Sequence, residues 1–184
     1  MEPVIDRELL RRAHQLEEHA LAEIYDRWSP GLYRYSLRLL GDNILAEECV
    51  ADTFSRFLQI LRDGRGPDDF LQAYLYRTAH NWITDHYRRK PTVSIRLEDD
   101  LTADSRDGPD QVAAKIMEQQ ELRAALMALT PDQRQVIVLK YVEGWNNEAI
   151  AVAVKKPVGA VKSLQHRALE SLRRTLRRQE SKKQ

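Results

Sequence analysis

The sequence has little of several things that would mark other classes of protein. Among its 184 residues it has one cysteine, seven glycines and seven prolines. The single cysteine, Cys49, excludes an internal disulfide and a zinc site built from several cysteines. No apolar run approaches the roughly 20 residues that a membrane span needs, and the N-terminus has no apolar signal core. We therefore expect a cytoplasmic protein without membrane insertion.

Alternating β-type patterns are also scarce, whereas apolar residues recur at three- and four-residue steps. With 42% hydrophobic residues the chain can bury a real core, and we predict an all-α fold of two small domains. Helices are expected over residues 6–40 with a kink or restart at Pro30, over 44–61, over 70–89 with Asp68 or Asp69 as cap, and over 112–129. Loop 62–67 separates two of them, because it holds two glycines and a proline. The core side of the helix over 70–89 is predicted to contain Leu71, Tyr74, Leu75, Thr78, Ala79, Trp82, Ile83 and His86.

Residues 91–111 differ in composition from both flanking segments. They carry six acidic residues against two arginines, and Gly108 and Pro109 stand together. We predict an acidic flexible linker here, between a first domain at residues 1–90 and a second domain at residues 112–184.

The stretch 126–178 predicts a helix-turn-helix followed by a basic helix. Thr130 is a candidate N-cap, with Pro131 at the first helical position and Gln133 placed for a capping box. Gly144 is expected to end this helix in the left-handed conformation. Its apolar face is predicted to contain Val136, Ile137, Leu139, Tyr141 and Val142.

Asn146 is expected to cap the next helix, which runs from Glu148 to about Val154. The last helix restarts near Val158, after Pro157. Its apolar face is predicted to contain Val161, Leu164, Ala168, Leu172 and Leu176.

Charge is concentrated at the C-terminal end. Residues 155–184 hold ten Lys or Arg and two Glu, a formal charge of +8, whereas the whole chain carries only +1. Such a separation is typical of a nucleic-acid surface on one part of a molecule whose remainder meets something else.

Four segments of the chain stand in a recognisable order: LAEIYDRWSPGLYRYSLRLLGD, AEECVADTFSRFLQIL, AYLYRTAHNWITDHYRR, and LTPDQRQVIVLKYVEGWNNEAIA with GAVKSLQHRALESL. In these segments and their order, the chain resembles a bacterial sigma factor of the extracytoplasmic-function group. The first resembles the first conserved segment of that group's promoter-melting domain, and the second is similar to its polymerase-docking helix. The third resembles the helix that reads and opens the minus-10 element, and the fourth resembles the minus-35 domain.

The resemblance implies roles for residues of the first domain. Core RNA polymerase would be bound by Glu48, Asp52, Arg56 and Phe57. Minus-10 DNA would be contacted by Asn81, Arg77, His80, Arg88, Arg89, Gly64, Asp69 and Phe70. Among these, Asn81 would line the pocket for a base flipped out of the strand, since an amide offers donor and acceptor to a Watson–Crick edge. Loop 64–70 would close that pocket, although a plain inter-helix turn is the alternative.

In the second domain the resemblance implies that the minus-35 element is read from the outward side of the last helix, by Lys162, Ser163, His166, Arg167 and Arg173. The sequence also departs from the family at the preceding turn. Lys155 stands where a glycine is usual, so the left-handed conformation is either strained or not adopted. Pro157 replaces the usual serine cap. Leu164 and Gln165 reverse the common polar-then-apolar order.

The resemblance thus implies a non-enzymatic protein, without metal or cofactor, that binds core RNA polymerase and promoter DNA, with an anti-sigma factor as a further partner. The alternative is a stand-alone helix-turn-helix regulator with an N-terminal interaction domain. An enzyme using His80, Asp85 and His86 is disfavoured, because their spacing on one helix does not bring them to a common face.

Overall fold

Helices make up all the regular secondary structure that the computed structural model describes, namely in residues 3–89, 117 and 120–183. This confirms the all-α class. The chain divides into two compact units, Met1–Ile95 and Arg96–Gln184. The expected linker, 91–111, and the start of the helix after it lie outside the described residues, so the predicted domain boundaries remain predictions. Within the described ranges, no helix has both the length and the apolar character to cross a bilayer.

The described part of the first unit contains four helices: α1 (Pro3–His14), α2 (Glu18–Leu40), α3 (Asn43–Arg62) and α4 (Leu71–Arg89). Helices α2, α3 and α4 pack against one another, and α1 packs on α2 and α3. The turn between α2 and α3 is formed by interactions between residues close together in the sequence. Gly41 takes the left-handed conformation at φ 65°, and the Leu45 amide donates to Asp42 Oδ1 over 2.8 Å.

The break in the N-terminal helical segment lies elsewhere than predicted. α2 runs through Pro30 without a restart, and the chain turns instead after His14, where Leu16 has a φ of 57°. The Glu17 amide donates to the Arg12 carbonyl, and the Arg12 guanidinium holds the Glu17 carboxylate. No glycine or proline marks this turn. It forms because the apolar faces of α1 and α2 must fold onto each other.

α4 is rotated relative to the predicted core face. Its fully buried side includes Tyr76 and His80, whereas four residues expected in the core are only half-buried: Tyr74, Thr78, Trp82 and His86. The buried Tyr35 hydroxyl of α2 bonds to His80 Nδ1 at 2.8 Å, and the Tyr35 and Tyr76 rings meet edge to face. The Tyr35 hydroxyl and His80 Nδ1 are tolerated in the core because each is the hydrogen-bond partner of the other.

The second unit contains α5 (residues 120–127), α6 (Pro131–Ile137), α7 (Asn147–Val154) and α8 (Val158–Lys183). The predicted caps are confirmed. The Gln133 amide donates to the Thr130 hydroxyl while the Gln133 side chain accepts from the Thr130 amide. The Ala149 amide donates to Asn146 Oδ1, and Gly144 has a φ of 72°.

A π-helical turn, Val138–Val142, follows α6 and corrects one prediction. Tyr141 and Val142 were expected on the apolar face, but they are 59% and 39% exposed. A π-turn holds more residues than an α-turn. The rotational position of the last two residues therefore shifts away from the face that buries Val136 and Leu139.

Arg134 is buried although nothing in the periodicity indicated it. Its guanidinium donates to the carbonyls of Leu126, Met127 and Leu129 at 3.0–3.4 Å. These carbonyls lie at the C-terminal end of α5, where helix carbonyls lack partners within the helix and a positive charge is favoured. The buried charge thus joins α6 to the end of α5.

We expect the stability of the first unit to depend on the buried Cys49 thiol at high pH. Burial raises the pKa of this thiol from 9.0 to about 11. The unfolded chain therefore loses the thiol proton from about pH 9, while the folded chain retains it up to about pH 11. The free energy of unfolding should fall by about 2 kcal/mol over this range.

The measurement is urea unfolding of the wild type and of Cys49→Ala at intervals from pH 7 to pH 11. Titration of lysines and tyrosines is common to both proteins and cancels in the difference. Parallel pH profiles for the two proteins would contradict the prediction.

Candidate nucleic-acid interface

The outward side of α4 carries a stripe of polar and basic residues. Arg77, Asn81 and Arg88 are separated by four and seven residues, which places them on one helix face. Asn81 and Arg88 are exposed, as is Arg89 at the helix end. Arg88 forms an ion pair with Asp85 at 3.1 Å. The stripe presents one amide between guanidinium groups.

Arg77 is the most enclosed cation of this stripe. Its guanidinium lies over the Tyr74 ring, 5.6 Å from the ring centre. Partial burial lowers the pKa of Arg77 from its usual value, but an arginine remains charged at neutral pH. The aromatic ring therefore holds a cation in a fixed place beside Asn81.

His80 was predicted to face outward with this stripe, and on that point the prediction is wrong. It is 4% exposed and bonded to Tyr35 in the core. It therefore does not belong to the DNA-facing set. The other two residues of the enzymatic alternative also contact neighbours on α4: His86 stacks on Trp82, and Asp85 forms an ion pair with Arg88. Within the described residues, no three His, Cys, Asp or Glu side chains could together hold a metal ion.

The loop between α3 and α4 begins with a glycine cap and ends in a strained residue. Gly64 has a φ of 67°. Its amide donates to the Leu61 carbonyl and the Arg65 amide donates to the Ile60 carbonyl, and these hydrogen bonds cap the C-terminal end of α3. Phe70 has a φ of 51° and is 50% exposed. Its carbonyl accepts from the Tyr74 amide, so Phe70, rather than either aspartate, occupies the N-cap position of α4.

A bulky residue in the left-handed region is a genuine outlier, and such strain clusters at functional sites. In this loop it places an exposed aromatic ring at the N-terminal end of α4, and Asp69, partly exposed, precedes it. Gly64, Asp69 and Phe70 thus belong to one surface loop, as the sequence predicted.

The expected polymerase-docking face lies on the outer side of α3. Glu48 is exposed, and Asp52 and Arg56, one turn apart, form an ion pair at the surface. Phe57 is only 1% exposed and packs near Tyr74. It supports the helix from the core and cannot be a docking contact, which corrects its predicted role.

α8 exposes the residues predicted to read the minus-35 element. The first four, Lys162, Ser163, His166 and Arg167, line one shallow depression, and Arg173 is exposed two turns further along. Lys162 and Arg173 have no ion pair described, whereas His166 lies 3.4 Å from Glu170. The opposite face is buried by Val161, Leu164 and Ala168.

At the turn between α7 and α8, Lys155 adopts the left-handed conformation, which is the strained one of the two alternatives that the sequence allowed. Lys155 lies in the left-handed region at φ 52°, ψ 45°, and the Lys156 amide donates to the Ala151 carbonyl in the pattern that usually requires glycine. Pro157 occupies the N-cap position of α8, where its carbonyl accepts from the Ala160 amide.

Two side-chain contacts that sequence reasoning missed hold this turn. Lys156 Nζ lies 3.1 Å from Asp132 Oδ2 of α6, and the Gln165 amide donates to Asn147 Oδ1 of α7 at 2.8 Å. The reversed order at residues 164–165 was the available signal. Leu164 is buried and Gln165 bonds to α7, so the order serves contact between α7 and α8.

Comparison with known proteins matches both units to one family. Residues 24–91 match the family Sigma-70 region 2, and residues 119–172 match Sigma-70, region 4. The chain is 32% identical to the ECF RNA polymerase sigma factor SigL of Mycobacterium tuberculosis, over 87% of this chain and 90% of that protein. It is 28% identical to the ECF RNA polymerase sigma factor BldN of Streptomyces coelicolor over 92% of this chain, but it spans only 65% of BldN.

Among solved structures, CnrH in complex with the cytosolic domain of CnrY matches with a TM-score of 0.69 and 25% identity. That match covers 93% of this chain and 96% of CnrH.

The strained turn leads to a prediction about Lys155. Glycine adopts the left-handed region without the steric cost that a side chain brings, whereas alanine retains that cost. Lys155→Gly should therefore be more stable than Lys155→Ala, by about 1 kcal/mol. Both variants remove the same exposed charge, so alanine is the matched control. The measurement is urea unfolding followed by helical circular dichroism, and equal stability of the two variants would refute the strain.

Proposed function

Because the chain belongs to the ECF RNA polymerase sigma factors, we propose that it binds core RNA polymerase and reads two promoter elements with its two helical units. The observation that carries this proposal is the α4 stripe beside the strained loop, within the segment that matches Sigma-70 region 2. Sigma factors are not enzymes, and they direct transcription in the cytoplasm, where we place this chain.

At the minus-10 element we propose that the unpaired strand lies along the outward side of α4. Arg77, Arg88 and Arg89 would bind phosphates, which position a strand without reading its sequence. Asn81 lies between these cations and offers both a donor and an acceptor to the edge of a base that has left the stack. Asn81 would therefore supply the sequence preference.

Loop 64–70 would form the other wall of the base pocket. Phe70 is half exposed at the start of α4. An aromatic ring can stack on any of the four bases, so Phe70 would add affinity without selecting a base. Asp69 accepts hydrogen bonds and would favour bases with amino groups at their edge.

At the minus-35 element we propose that α8 enters the major groove with the depression lined by Lys162, Ser163, His166 and Arg167. Arginine and lysine pair with the acceptor edge of guanine there. Arg173, further along the same helix, would bind phosphate and make the affinity depend on salt.

We assign polymerase binding to the surface charges of α3, namely the exposed Glu48 and Arg56 and the half-buried Asp52, without Phe57. An anti-sigma factor is a further proposed partner. It is supported by the solved complex of CnrH, whose fold this chain shares, with the cytosolic domain of CnrY.

The test is transcription with core RNA polymerase on a pool of promoters randomised in both elements. Asn81→Ala should lower base discrimination near the start site, and Arg167→Ala should lower it upstream, each by about 1–3 kcal/mol. Each variant should leave the other element's preference unchanged, since the two residues belong to different units.

Matched controls are Gln72→Ala, an exposed amide half a turn away from Asn81 around α4, and Arg34→Ala, an exposed arginine of α2. Neither should change the preferences. Failure of the wild-type chain to form a complex with core polymerase, together with specific duplex binding by the chain alone, would favour a stand-alone regulator instead.

A further inference from the structure

One face of α1 lies against the loop between α3 and α4. His14 Nε2 lies 3.3 Å from the carbonyl oxygen of Pro67, and since a carbonyl only accepts, the ring nitrogen donates. The same nitrogen lies 3.8 Å from Asp68 Oδ1, and Arg7 Nη2 lies 3.7 Å from Asp69 Oδ2. Arg7 and His14 are seven residues apart and therefore share one face of the helix.

His14 also packs directly on the loop backbone. A Cβ atom at Gly66 would lie 3.0 Å from His14 Cε1 and 3.1 Å from Leu61 Cδ2, closer than such contacts normally allow. Gly66 thus lets the loop pass between the imidazole and the end of α3. Because Asp68 and Arg7 are largely exposed, the two contacts between charged side chains contribute little. The imidazole, with its hydrogen bond and its packing, is the main anchor.

The anchored segment is followed at once by Asp69 and Phe70, which start the proposed base pocket. We propose that α1 is a positioning element of that pocket, with His14 fixing the loop so that base selectivity at the minus-10 element depends on a residue that never touches DNA. This inference rests on the proposed function. It extends the pocket to a helix outside the segment matched to Sigma-70 region 2.

The first experiment measures base preference with the holoenzyme on templates randomised at the minus-10 element. His14→Ala should reduce the preference about five-fold, the equivalent of one hydrogen bond, without loss of core polymerase binding. His14→Gln, whose amide can still donate to the Pro67 carbonyl, should restore most of it. The control is His19→Ala, an exposed histidine at the start of α2.

The second experiment reports on the loop without DNA. Arg65 is an exposed trypsin site within the loop, and limited proteolysis of the full chain should cut it several-fold faster in His14→Ala. Gly66→Ala should also speed cleavage, but less so when His14 is already alanine, because one of its two close contacts is then gone and only that with Leu61 remains. Gly64→Ala is the reference: it has positive φ but no atom within 4 Å of a new Cβ, so its effect should add to that of His14→Ala.

The outcomes separate the two levels of inference. A wild-type holoenzyme without minus-10 preference would overturn the proposed function. A normal wild-type preference that His14→Ala leaves intact, or additive effects of His14→Ala and Gly66→Ala on cleavage, would overturn the positioning role alone. If His14→Ala does not fold, the cleavage rate of Gly66→Ala decides. A rate equal to that of the wild type would overturn the role.

Discussion

The rotation of α4 about its own axis is the constraint on which the first unit depends, and the buried hydrogen bond between Tyr35 and His80 fixes it. Successive residues of a helix point about 100° apart. Burying His80 therefore turns Asn81 outward and aligns it with Arg77 and Arg88. Had α4 adopted the face suggested by periodicity alone, Trp82 and His86 would lie in the core and the polar stripe would be tilted away from the loop.

In the second unit, the orientation of the proposed DNA-binding helix, α8, is determined at a turn. The outward face of α8 depends on the angle at which α7 meets it, and this angle is set by the left-handed Lys155 with the contacts of Lys156 and Gln165. A left-handed residue with a side chain costs about 1–2 kcal/mol. The ion pair with Asp132 and the hydrogen bond to Asn147 are of the size needed to offset it.

Sequence reasoning succeeded where the structure is determined by neighbours along the chain. The caps at Thr130 and Asn146 and the left-handed Gly144 follow from local stereochemistry. It failed where distant elements decide. The turn at Leu16 has no local signal, and the burial of Arg134 depends on the end of α5. The π-turn that exposes Tyr141 likewise has no signal in the hydrophobic periodicity. Asn81, Arg88, Lys162 and Arg167 lie at the surface, as helical periodicity led us to expect, whereas their roles remain predictions.

Three residues with side chains have positive φ among those described, and each lies at a helix end: Leu16, Phe70 and Lys155. Phe70 and Lys155 adjoin the two faces that we assign to DNA, and Leu16 follows the helix that anchors the loop leading to Phe70. A strained backbone conformation persists only where the contacts around it hold it in place. At these three residues the surrounding structure therefore determines the backbone conformation. The residues on a helix face do not by themselves determine how that face is oriented toward a DNA strand. Phe70 and Lys155 contribute to this orientation, because they fix the direction in which the chain enters α4 and α8.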